Sequence, residues 1–346
     1  MPKPPSQPES SQRPPSRRAR FFASAGNGSR TATRNLFAYA TAIAVVLFVA
    51  RHTSIASLMG SLYHANLRLF IPVSIAAFGC WYLSETFLFA KLFGYFHGRT
   101  TFRELLLPNA AQYFLQIVNA VVAGGAMVFF IHRRKGVSWM AGMCTMLFQM
   151  FIDFQVLAWM ALAATLLVRG SPLSLPWYYP ALVLGTTWLV TLFWLRGRPR
   201  SRLGQWLYDR PSMSSFREAR LYHYVTLMLI RAPIFIVQGL VLFLEMKSFR
   251  VQVPLDYVMA ATPAILFLTS LPITPAGLGS EQAVLAIGFA AFAPRSALLA
   301  LSLAISATSI LFRMMLGIGA AGIFAREVSG AARAGEMFEG GLAEPS

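Results

Sequence analysis

Charge is scarce in this sequence. Of 346 residues, 13 are acidic and 30 are Lys or Arg, so 12% are charged against 56% hydrophobic, with a mean hydropathy of +0.56. A soluble domain of this size rarely looks like that. Cysteine is nearly absent. Cys80 and Cys144 both lie inside apolar runs, as packing residues do, and form neither a disulfide framework nor a metal motif. The five histidines have no metal-ligand spacing, and no metal or other cofactor is expected. Also missing are a G-x-S-x-G elbow, an H-E-x-x-H helix, a Walker loop and a dinucleotide fingerprint. The short alternating segments of a membrane β-barrel are absent as well.

What the chain has instead is apolar runs, most of them of about 20 residues or more, a length that crosses about 30 Å of hydrocarbon. They cover Leu36–Ala50, Leu67–Lys91, Leu105–Ile131, Trp139–Val168, Trp177–Leu195, Leu221–Phe243, Tyr257–Phe292 and Ala297–Phe324. Residues 1–34 are rich in Pro, Ser and Arg, and read as a disordered basic cytoplasmic tail. Residues 35–325 read as the transmembrane domain and 326–346 as a small-residue-rich disordered tail. Within the basic loop SRLGQWLYDRPSMSSFREAR, Leu203, Trp206, Leu207 and Phe216 suit the headgroup layer or a solvated loop. The net charge of +17 is concentrated in the N-terminal tail and the Arg196–Arg220 loop. Membrane proteins collect basic residues in this way on the cytoplasmic side, so nucleic acid is not an expected partner.

Loop charge also sets orientation. The basic tail places the N-terminus in the cytoplasm, and Lys91, Arg99 and Arg103 belong on the same side. So does His132-Arg133-Arg134-Lys135, which a simple crossing by Leu105–Ile131 would deliver outside. The conflict disappears if Leu105–Ile131 enters and turns back between Asn119 and Gly125. By the same reasoning Tyr257–Phe292 enters and leaves from the outside. The expected fold is an all-α polytopic membrane protein with about six full transmembrane helices plus two re-entrant helical hairpins in an inverted repeat. Eight simple spans are the alternative. Inverted repeats with broken helices surround a central site in many transporters.

The break in the second hairpin lies in LPITPAGLGSEQAVLAIGF, from Leu271 to Phe289. Pro272 and Pro275 interrupt a continuous helix, and Thr274 sits between them. Gly277 and Gly279 permit unusual backbone angles and close approach. Ser280 suits an N-cap for a helix SEQAVLAIGFAAFA, with Glu281 in its first turn, where free N–H groups receive a phosphate or stabilise the carboxylate. Buried charges in the spans must be paired, because an isolated one costs about 3 kcal/mol on insertion scales. The expected pairs are Asp153 or Glu281 with Arg313, and Glu85 with Arg231. Arg313 and Arg231 are also suited to a lipid phosphate.

The pattern P-x-x-P-[GA]-G-x-G-x-x-[EQ], followed by an apolar helix and a buried arginine, resembles the transmembrane domain of lysylphosphatidylglycerol synthases and their flippase-like relatives. The resemblance places Pro275, Gly277 and Gly279 on the family's proline–glycine turn, Glu281 or Gln282 near its acidic position and Arg313 on the arginine of the last helix. Asn119, the run Arg133 to Ser138 and Asp153 resemble the family's asparagine, basic turn and mid-helix aspartate. The chain departs from the pattern at Ala276, where relatives usually have Gly, and lacks the Pro-Gly step after the asparagine.

The resemblance implies an inner-membrane protein, N-terminus cytoplasmic, that binds and translocates a phosphate-bearing lipid, either a phospholipid or a polyprenyl-linked one. Alternatives are an intramembrane transferase on a polyprenyl phosphate, or a scaffold of a lipid or glycan biosynthetic complex. No segment is long and polar enough to be the soluble synthase domain, so an enzyme is the less favoured reading. Membrane lipids are the expected partners, together with a biosynthetic enzyme in the scaffold reading.

Overall fold

The computed structural model describes residues 55–118, 120–167, 178–197, 202–270 and 280–340, and these are helical almost throughout. In chain order the helices are α1 (Ile55–Tyr63), α2 (Leu67–His97), α3 (Phe102–Val118), α4 (Ala120–Lys135), α5 (Trp139–Leu167) and α6 (Tyr178–Leu195). Then come α7 (Arg202–Tyr208), α8 (Ser214–Glu218), α9 (Leu221–Ser248), α10 (Leu255–Ser270), α11 (Ser280–Gly288) and α12 (Arg295–Gly340). Five stretches are long and apolar enough to cross a membrane: Leu67–His97, Trp139–Leu166, Tyr178–Leu195, Leu221–Ser248 and Arg295–Ala320. They match five of the six expected spans; the other, Leu36–Ala50, lies outside the described residues. Their outer faces carry exposed Leu182, Leu189, Leu229, Met315 and Ile318, the surface that hydrocarbon covers.

The frame is the antiparallel pair α2 and α9. At one end the Asn66 N–H donates to the Ser248 carbonyl at 2.7 Å, and the Asn66 side chain caps α2 by accepting from the Leu69 N–H. At the other end Tyr95 packs on His223, ring centroids 4.6 Å apart. Each end has its own core. Phe93, Phe148, Trp194, Phe216 and Tyr224 fill the His97 end; Phe70, Met246, Phe249, Tyr257 and Phe289 fill the Asn66 end. Phe216 is therefore a core residue and not a headgroup-layer one, since α8 tucks it against Phe148 and Trp194. Trp206 on α7 is exposed, with the Arg210 guanidinium 4.1 Å from its ring centre.

Two pairs of short helices complete the bundle. α3 and α4 have 17 and 16 residues, fewer than the about 20 that a crossing requires. They pack along each other, and their outer ends meet. Lys135 at the end of α4 lies 3.4 Å from Glu104 in the first turn of α3 and donates to the Arg99 carbonyl. Gly124 and Gly125, expected near the turn, lie inside α4. α10 and α11 behave alike. The Tyr257 hydroxyl, at the start of α10, donates to the Gly288 carbonyl, at the end of α11, at 2.8 Å. α11 stops at Gly288 and does not run on through Phe289–Ala293 as expected, because Phe289 and Phe292 pack onto Tyr257 there.

These two pairs open at opposite ends of the frame. Arg99 lies two residues beyond His97 and Lys135 lies beside it, so the first pair opens at the His97 end. Tyr257 and Phe289 belong to the Asn66 core, so the second pair opens there. α12 packs on α1, α2, α3 and α11 and ties them together. Gly317 allows the closest of these approaches, since a Cβ there would stand 2.2 Å from the Phe114 ring. α12 continues as helix to Gly340, through the residues for which the sequence suggests a disordered tail. Ala is frequent there and favours helix.

Candidate functional site

The charged side chains of the spans converge inside the bundle. Arg231 from the middle of α9 grips Asp153 from the middle of α5. Its Nε and Nη2 donate to the two carboxylate oxygens at 2.7 and 3.0 Å. This bidentate geometry is the strong form of a charge-assisted hydrogen bond. The guanidinium also lies against Trp81 and Phe235, 4.8 and 4.9 Å from the ring centres, which adds cation–π attraction on a dry side. Its Nη1 has no partner. Asp153 is thus paired with Arg231, not with Arg313. The cause is packing: α5 lies against α9, whereas α12, which carries Arg313, lies against α1, α2, α3 and α11.

Glu85, expected to pair with Arg231, is buried on α2 and within electrostatic reach of it, but Asp153 occupies the two donors facing it. Glu85 Oε2 has no hydrogen-bond partner. Beside it, Tyr113 from α3 is 3% exposed and its hydroxyl also lacks a partner. The two groups face each other and interact electrostatically.

Arg313 joins the two short-helix pairs. Its guanidinium carbon lies 6.0 Å from the centre of the Tyr113 ring, in the first pair. It is also an electrostatic partner of Glu281, in the second. Arg313 Nε is buried without a partner. Glu281 does lie in the first turn of α11, which Ser280 opens. Its carboxylate accepts from the Ser306 hydroxyl at 3.1 Å, and the Gln282 amide donates to Ser306 Oγ at 3.0 Å. Ser306 therefore pins the start of α11 to α12, seven residues before Arg313. A further buried carboxyl, Glu245 on α9, accepts from the Ser74 hydroxyl at 2.7 Å.

A cavity of about 430 Å³ lies between α3 and α12, lined by Tyr82, Arg103, Leu107, Ala110, Met315 and Gly319 among others. Arg103 marks its end at the mouth of the first pair, and Ala110 and Met315 lie within a turn of Tyr113 and Arg313. Asn109 fixes this wall, its amide donating to Thr86 Oγ1 at 2.9 Å and to the Tyr82 carbonyl at 3.3 Å.

Of the residues singled out in the sequence, Asp153 and Arg231 are in direct contact, and Glu281 and Arg313 face each other. Pro272, Thr274, Pro275, Gly277, Gly279 and Asn119 lie outside the described residues. Ser306 and Tyr113 were not anticipated. The signal for Ser306 is positional: Ser302, Ser306 and Arg313 recur at helical spacing along one stripe of an otherwise apolar helix. For Tyr113 the signal is its hydroxyl, the only tyrosine hydroxyl in the first short pair.

No curated protein is significantly similar to the chain. The profile of a family described as "Lysylphosphatidylglycerol synthase TM region" matches residues 35–317. That stretch takes in four of the five described spans whole, most of the last, and both short-helix pairs, together with Asp153, Arg231, Glu281 and Arg313. The protein is thus a multi-pass membrane protein that belongs to the lysylphosphatidylglycerol synthase transmembrane-region family, a family tied to lipid metabolism or transport.

Proposed function

We propose that the protein binds a phosphate-bearing lipid between the two short-helix pairs and carries its headgroup across the inner membrane. In this reading the pairs are re-entrant hairpins, the first entering from the cytoplasm and the second from outside, and the N-terminus is cytoplasmic. One observation carries it: Arg313 stands where both hairpins converge, beside Tyr113 of one and Glu281 of the other, with Nε unpartnered. A guanidinium with a spare donor is suited to a phosphate. Hairpins opened from opposite faces around one site are the arrangement that alternating access uses. The cavity beneath Arg103 is largely apolar and has room for part of an acyl chain.

The test is reconstitution. Vesicles holding the purified protein and a headgroup-labelled phospholipid are exposed to an impermeant quencher. The protein raises quenching above the half that empty vesicles show, and Arg313→Gln lowers it to the empty level. Quenching no higher than in empty vesicles overturns translocation. Product formed from a labelled sugar donor and polyprenyl phosphate would instead identify a transferase.

A further inference from the structure

Four buried polar atoms lack partners in one place: Glu85 Oε2, Tyr113 Oη, Arg231 Nη1 and Arg313 Nε. They come from four helices, α2, α3, α9 and α12. An unsatisfied buried polar atom costs about 1–3 kcal/mol, so four together mark a place where something polar enters. The groups facing Glu85 are Tyr113 from α3, Asp153 from α5, Arg231 from α9 and Arg313 from α12. These are the helices that pack on α2.

Arg231 and Arg313 face three carboxyls, Asp153, Glu85 and Glu281, so no guanidinium charge is left over for a ligand. A lipid phosphodiester brings one more negative charge into a water-poor site. Burying it uncompensated costs several kcal/mol, and the described residues of the cluster hold no other cation. A proton is the smallest charge that offsets it. Asp153 is poorly placed to take it, since Arg231 holds both its oxygens. Glu281 already accepts a hydrogen bond from the Ser306 hydroxyl. Glu85 has an oxygen with no donor on it, and once protonated it gains an O–H that is able to donate to a phosphate oxygen. An ionised carboxylate would repel the phosphate.

We infer that Glu85 takes a proton from water each time a lipid phosphate engages Arg313, so that lipid binding, and any movement of the lipid, is coupled to protons. This rests on the lipid-binding reading above. No nucleotide site is then needed to drive the cycle, because a proton gradient biases when the lipid is held and when it is released.

The test uses full-length protein in detergent and dihexanoyl-phosphatidylglycerol, whose phosphodiester does not titrate near neutral pH. Binding enthalpy is measured in two buffers of different ionisation enthalpy at pH 7 and 8. Wild type takes up about one proton per lipid, and its affinity falls about tenfold per pH unit where the site is deprotonated. Glu85→Gln binds with no proton uptake and no pH dependence, and Glu281→Gln, at whatever affinity it binds, still takes up about one proton per lipid. Binding by wild type without proton uptake overturns the inference and leaves the lipid-binding reading standing. So does uptake that persists in Glu85→Gln or is lost in Glu281→Gln. No binding at all overturns both. Proton-linked binding without transport in vesicles overturns translocation alone. If Glu85→Gln does not fold, the wild-type and Glu281→Gln results still decide.

Discussion

Arg231 and Asp153 meet across the centre of the bundle through two parallel hydrogen bonds, with 4% and 18% of their side chains exposed. A pair so enclosed binds α5 to α9 and is far more costly to break than to replace. Removing one partner strands a buried charge, at about 3–5 kcal/mol. Asp153→Asn and Arg231→Gln should each lower the melting temperature in detergent. The double variant should lose clearly less than the sum of the two. Additive losses would mean that the residues do not interact in solution.

Ser306 predicts a functional loss with little loss of stability. Ser306→Ala removes one hydroxyl that donates to Glu281 and accepts from Gln282. The stability cost should stay near the ~1 kcal/mol of a single hydrogen bond. Transport should fall several-fold, because the start of α11 is no longer pinned beside Arg313, and Ser306→Thr should restore it in part. Undiminished transport in Ser306→Ala would remove the contact from the site.

Gly317 tests the seam between α3 and α12. A Cβ there would lie 2.2 Å from one Phe114 ring carbon and 2.6 Å from Phe114 Cβ, so rotating the ring does not relieve the clash. Gly317→Ala should destabilise by about 1–3 kcal/mol, the usual range for overpacking. Phe114→Ala in the same chain should recover most of that loss. A wild-type melting temperature for Gly317→Ala would show that the two helices stand further apart.

Much of this architecture was legible in the residues. Length and hydropathy are local properties, so five spans could be read directly. The mismatch between Leu105–Ile131 and the basic cluster after it was enough to suggest a returning chain, and in the structure Lys135 and Glu104, beyond the two ends of that stretch, are in contact. Side-chain partners were harder. Asp153 and Arg313 looked alike because each sits deep in a span, but which charges meet depends on helix neighbours, and hydropathy does not encode those. Ser306 and Tyr113 were overlooked for the same reason, since a hydroxyl in an apolar helix most often bonds its own backbone, as Thr308 does to Ala304.

The direction in which each short pair opens is the feature on which the transport reading depends, and chemical labelling measures it. Arg133 lies at the mouth of the first pair, in the last turn of α4. Arg295 begins α12, beyond the mouth of the second. In a chain freed of Cys80 and Cys144, single cysteines at these positions should react with an impermeant maleimide from opposite faces of intact vesicles. Position 133 should be labelled from the face that carries the basic Arg196–Arg220 loop. Ordinary crossings by both pairs would move these mouths relative to the frame, and labelling of both positions from one face would rule out opposed hairpins. Since α2 and α9 run antiparallel with a mouth at each end, a same-face result would also contradict the contacts of Lys135 with Arg99 and of Tyr257 with Gly288.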